Sequence, residues 1–113
     1  MHEMALSESI LEILTGAAEQ QGFARVKQVW LEVGQFAGVE KSALAFSFEV
    51  VARGSLAEGA TLTMIDLPGL AWCLPCAEVV VIKERFSECP NCGSSQLQIT
   101  AGEEFRIKEL EVE

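Results

Sequence analysis

Apolar residues recur at helical spacing along residues 4–21. Leu6, Ile10, Ile13, Leu14, Ala17 and Ala18 are interleaved with Glu8, Glu12 and Glu19, which predicts an amphipathic helix. Gly22 stands where a left-handed stop is expected. From Val26 to Gly34 the period changes to two. Val29, Leu31 and Val33 share one face and Trp30 and Glu32 the other, which predicts a strand. Helical spacing returns over residues 41–52, where Leu44, Phe48 and Val51 form a stripe that Phe46 and Val50 widen. Ser42 or Glu40 can cap its start and Gly54 can end it. Both Phe46 and Phe48 are expected in the core.

Residues 60–67 alternate again, with Leu62 and Met64 opposite Thr61, Thr63 and Ile65. Pro68-Gly69 then breaks the pattern, a natural boundary. After a cysteine-rich stretch, Leu97–Thr100 and Phe105–Val112 look extended. In the last segment Phe105 and Ile107 have one parity and Leu110 and Val112 the other, so a bulge or sharp twist is expected near Lys108 or Glu109. The order predicts an α+β fold: a small sheet of about three strands packed with two helices, plus an inserted metal module of the zinc-ribbon kind. The expected domains are 1–68 with 98–113, and 69–97.

The inserted stretch reads Cys73-Leu74-Pro75-Cys76, then twelve residues, then Cys89-Pro90-Asn91-Cys92-Gly93. Two residues between cysteines let one tight turn aim both sulfurs at a single ion, and two such knuckles complete a closed tetrahedral shell. Zinc suits four thiolates and brings no redox chemistry, although an iron site shares the ligand set. A closed four-thiolate shell leaves no open position, so the metal is expected to hold structure and not to catalyse.

Composition narrows the function. The chain has 113 residues, half of them hydrophobic, enough for a real core in one domain with an insert. Its 8 cations against 17 carboxylates, net −9, would repel a polyanion, which excludes nucleic acid as an expected partner. Residues 69–96 hold Lys83 and Arg85 against Glu78, Glu84 and Glu88, so most of the negative charge lies elsewhere. The start Met1-His2-Glu3 has neither a basic region nor an apolar run, and Val79–Ile82 is far too short to span a bilayer. A cytoplasmic protein without a membrane segment is expected, and a reducing compartment favours metal ligation over disulfides. No Ser/His/Asp or Cys/His constellation can be built around the single histidine, His2. Gly34–Gly38 lacks the Lys-Ser/Thr of a phosphate loop. Trp30 and Trp72 read first as packing residues, with a docking surface as the alternative.

His2 follows the initiator methionine, which is normally kept before a bulky residue. The Met1 amine, the backbone amides of His2 and Glu3 and the imidazole can therefore converge on one ion. Deprotonated amides with imidazole make a planar nitrogen-rich site that favours nickel(II) or copper(II) over zinc.

Met1-His2-Glu3, the helix after it, the strand ending Val33-Gly34, Glu40-Lys41-Ser42, Arg53-Gly54-Ser55 and the paired CxxC motifs together resemble the HypA family, with its relative HybF. The resemblance covers essentially the whole chain. It implies a nickel metallochaperone of [NiFe] hydrogenase maturation, with nickel as cargo at Met1, His2 and Glu3. It also implies structural zinc on Cys73, Cys76, Cys89 and Cys92. Glu40 falls where family members carry an acidic residue near the nickel; its other reading is a helix-start carboxylate facing the dipole. The implied partners are a HypB-type GTPase and the hydrogenase large-subunit precursor. Some family zinc modules carry histidine beside the cysteines and this one has none, which speaks against ligand switching at the zinc. The expectation is a metal-delivery protein, not an enzyme. The alternatives are a zinc-ribbon interaction adaptor without nickel transfer and a small iron redox carrier. A C-terminal strand that follows an inserted module also permits a swapped homodimer.

Overall fold

The structure is a computed structural model, and it describes residues 3–113. Two helices and six strands follow one another as α1 (Glu3–Gln21), β1 (Val26–Gly34), α2 (Lys41–Ala52), β2 (Thr61–Leu67), β3 (Gly69–Cys73), β4 (Glu78–Ile82), β5 (Leu97–Ala101) and β6 (Phe105–Val112). The strands form two three-stranded sheets, of order β2-β1-β6 and β4-β3-β5. The chain divides into two compact units: residues 1–31, 39–64 and 107–113, and residues 32–38 with 65–106.

In the first unit α1 and α2 pack on each other. Ile10 and Leu14 of α1, Leu44 and Phe48 of α2, and Val26, Val29 and Leu31 of β1 are all buried. The alternation read from β1 is therefore the alternation of its burial. Gly22 ends α1 in the left-handed conformation, its N–H donating to the Ala18 carbonyl (2.8 Å). Glu40 is the N-cap of α2, its carboxylate accepting the Ala43 N–H at 2.6 Å and the Ser42 hydroxyl at 2.7 Å.

The core expectation for Phe46 fails, and one apolar residue of the α1 pattern lies outside the buried face. Phe46 is 65 % exposed and Ile13 59 % exposed. At about 100° per residue, Phe46 lies roughly 200° from Leu44 and from Phe48, on the far side of the helix. Ile13 lies roughly 90° from the centre of the stripe that buries Ser7, Ile10 and Leu14. In β6 the half-buried residues Phe105, Ile107 and Leu110 do change parity after Ile107, within an unbroken strand.

The second unit has a smaller core of Ala71, Cys73, Val80, Ile82 and Cys89, with Phe36, Cys76, Leu97 and Ile99 packed against it. β3 pairs antiparallel with β4 in continuous register from Gly69↔Ile82 to Cys73↔Glu78. Its pairing with β5 shifts by one residue: Leu70 meets Ala101 while Ala71 meets Ile99, leaving Thr100 as a bulge. The Phe36 ring lies against Gly69 and Gly102 so closely that a Cβ on either glycine would strike it. Arg85 covers the ring at 5.4 Å, donates to the Phe36 carbonyl (3.2 Å) and pairs with Glu103 (2.7 Å). A side chain at Gly34 would strike the Gly102 carbonyl, so the backbones approach as only glycine permits.

Candidate metal centre

Cys73 closes β3 and Cys76 follows in the turn to β4. Cys89 and Cys92 lie on the loop before β5. The two knuckles are built alike. Four residues after the first cysteine of each, the backbone turns left-handed, at Ala77 (φ 54°) and at Gly93 (φ 77°). Each of those residues donates its N–H to the carbonyl of the first cysteine, Ala77 to Cys73 and Gly93 to Cys89, both at 2.8 Å. A second layer of bonds holds the loops: Cys89 N–H to Ser94 O (2.8 Å), Leu74 N–H to Gln96 O (3.1 Å) and Asn91 Nδ2 to Glu78 Oε1 (3.0 Å). Asn91 N–H also points at the Cys89 sulfur, at 3.4 Å.

This brings the four sulfurs within 4.8 Å of one another, all as free cysteines. Cys73 and Cys92 are 3.6 Å apart and Cys76 and Cys89 4.0 Å. A tetrahedron with metal–sulfur bonds of about 2.3 Å has an edge of about 3.8 Å, and the two separations bracket it. Cys73 and Cys89 are buried, Cys76 is half-buried and Cys92 reaches the surface.

Without a cation the Cys73, Cys76 and Cys89 thiols are shifted in different directions. The N–H of Cys92, with that of Asn91, holds the Cys89 thiol down to about 7. The neighbouring Cys92 and Cys73 sulfurs and burial push Cys76 far up. The Cys76 N–H pulls Cys73 down, but burial and the Cys89 and Cys92 sulfurs outweigh it and leave it raised. Four soft donors at tetrahedral spacing fit a divalent, thiophilic metal ion.

The terminal triplet is seen in part. Met1 and His2 lie outside the described residues. Glu3 opens α1, and its carboxylate accepts the Glu40 N–H at 3.2 Å. Glu3 and Glu40 are thus neighbours, although the chain separates them by α1 and β1. The Glu40 carboxylate itself is engaged in capping α2, and the Ser42 hydroxyl, then the Ala43 N–H, hold its pKa below the ordinary glutamate value. Glu40 is thus a helix cap, as one of its two readings has it, and its backbone adjoins Glu3.

Two residues of the centre escaped the sequence reading. Ala77 is the left-handed counterpart of Gly93, and laying one knuckle over the other would have revealed it. Glu78 holds the second knuckle through Asn91, a link across 13 residues that no local signal announces.

A family model described as "Hydrogenase/urease nickel incorporation, metallochaperone, hypA" matches residues 1–112. The chain belongs to the HypA family. It is 56 % identical to a hydrogenase maturation factor HypA of Azotobacter chroococcum mcd 1 and 53 % identical to one of Albidiferax ferrireducens, in each case over the whole of both chains. Among solved structures it resembles the solution structure of the Ni metallochaperone HypA from Helicobacter pylori. That match has a TM-score of 0.69 at 24 % identity, over 99 % of this chain and 97 % of the other, and supports the fold. A second solution structure, of a HypA protein, matches with a TM-score of 0.72 at 25 % identity, over 99 % and 96 %. Membership makes the chain a hydrogenase maturation factor of a nickel metallochaperone family and not an enzyme. The four-cysteine cluster fits the ribbon expected of it. No helix among the described residues is long and apolar enough to cross a membrane.

Proposed function

We propose that this chain captures nickel(II) at Met1, His2 and Glu3 and delivers it to the large-subunit precursor of a [NiFe] hydrogenase. The observation that carries this reading is the family match over residues 1–112, which takes in both the terminal triplet and the four cysteines. The donor chemistry agrees with it: amine, amides and imidazole form the planar set that nickel(II) prefers. The Glu40 N–H donates to the Glu3 carboxylate, so the backbone of Glu40 lies beside the third residue of the triplet. Zinc is the resident ion on Cys73, Cys76, Cys89 and Cys92, where it holds the shape of residues 69–97. Residues 1–68 with 98–113 form the nickel-handling part.

A cytoplasmic setting and a HypB-type GTPase partner belong to the same reading, as does a homodimer as the assembly to look for. A terminal site is open on one side, as a site that hands its metal on must be. The test is a calorimetric nickel titration of zinc-loaded protein with a native N-terminus, beside His2→Ala with zinc content checked. About one nickel per wild-type chain and none in the variant is the expected result. Equal binding by both, or by neither, sinks the terminal site and leaves a zinc-ribbon adaptor as the better account.

A further inference from the structure

The sheet of the second unit has one face on the metal-side core and one face bare. Ala71, Cys73, Val80 and Ile82 point to the core. The opposite alternation exposes Trp72 (37 %), Val79 (51 %) and Val81 (61 %), with half-buried Leu70 between them. These residues are cross-strand neighbours, since Trp72 pairs with Val79 and Leu70 with Val81. They form one continuous apolar patch of the kind that marks interaction surfaces.

The two edges of this sheet differ. β5 carries the Thr100 bulge, and Gln98 stands opposite Trp72 on its outward side. Bulges and polar side chains are how edge strands avoid new partners. β4 has neither: its register is unbroken, and it offers Val79 and Val81 outward as the terminal strand. In a chain with 17 carboxylates, the outward positions of these three strands hold no acidic residue. Lys83, exposed in the bend that directly follows β4, brings a positive charge to the end of that edge. Glu78 belongs to the other alternation, where it accepts from Asn91.

We propose that the free edge of β4 takes up an extended segment of a partner protein as a fourth strand. That segment bears apolar side chains over Val79 and Val81 and a carboxylate opposite Lys83. Charge decides against a second copy of this chain. In two β4 edges paired antiparallel with their apolar faces on one side, odd-numbered residues meet, so Lys83 falls opposite Pro75, Ala77, Val79, Val81 or Lys83 and never opposite a carboxylate. Each copy also carries a net charge of −9. The inference goes beyond nickel capture, and its test needs no nickel.

The test uses metal-loaded full chain and three synthetic ten-residue peptides, followed by amide NMR. One peptide alternates valine and threonine and ends in glutamate, the second ends in lysine, and the third is the first with alternate amides N-methylated. The first should shift the amides of residues 78–83 and the Trp72 indole. The lysine peptide should bind at least about threefold more weakly, the order should reverse in Lys83→Glu, and the methylated peptide should not bind. Absence of shifts overturns the proposal, as does equal affinity for the glutamate and lysine peptides. So does sedimentation that shows a dimer abolished by Val81→Lys, which would make a second copy the occupant.

Discussion

The two units of this protein hold themselves together by different means. The first buries Ile10, Leu14, Val26, Val29, Leu31, Leu44 and Phe48 in a core supplied by two helices and a strand. The second has a core cluster of five buried residues, and two of them are the cysteines Cys73 and Cys89. The one has a larger hydrophobic core to rely on, whereas metal–sulfur bonds on the four cysteines are expected to supplement the smaller core of the other. A small module with two ligand residues among its five buried ones is expected to have its folding tied to its ion.

The largest expected effect breaks that comparison directly. Stripping the metal with a chelator, or Cys73→Ser, should collapse the amide dispersion of residues 69–101 while the amides of α1, α2 and β1 keep theirs. Uniform loss across the chain would show that the first unit also depends on the ion. The converse substitution, Phe48→Ala, should lower the stability of the first unit by about 3–5 kcal/mol and leave metal content unchanged. Denaturant unfolding with metal analysis reads both halves of that statement.

A smaller effect concerns the cap that anchors α2. The Glu40 carboxylate is held below its ordinary pKa by Ser42 and the Ala43 N–H. A depressed carboxylate contributes stability above its unfolded pKa, and that contribution is lost as the pH falls through the lower folded value. Glu40→Ala should therefore melt about 2–5 °C below wild type near neutrality. The gap should close in acid below the ordinary glutamate range; a gap independent of pH would deny the charged cap. The smallest effect sharpens the likeness of the two knuckles. Ala77 is left-handed where its counterpart is Gly93, so Ala77→Gly should stabilise the metal-loaded module by about 0.5–1 kcal/mol. Slower metal loss to a competing chelator would report it.

Much of the candidate site was legible because its information is local. Two residues between cysteines, with Pro90 and Gly93 in the turn, specify a knuckle whatever surrounds it. The chemistry of the terminal triplet is likewise that of consecutive atoms. Glu40 could be read two ways because a helix cap and a neighbour of Glu3 look the same in one dimension. Phe46 misled because an aromatic beside an apolar stripe adds to the hydrophobic count without adding to the buried face.

The amino-acid sequence by itself determined the two helices, the alternation of β1, and a four-thiolate metal module within an α+β chain. Helical period, strand period and ligand spacing are each fixed over a few residues. Only the tertiary structure decided that β3, β4 and β5 form a sheet of their own, and that one of its edges is bulged and the other regular. It alone showed Phe36 lodged against Gly69 and Gly102 beneath Arg85. Those contacts join residues tens of positions apart, so they depend on register and close approach, which no local pattern encodes.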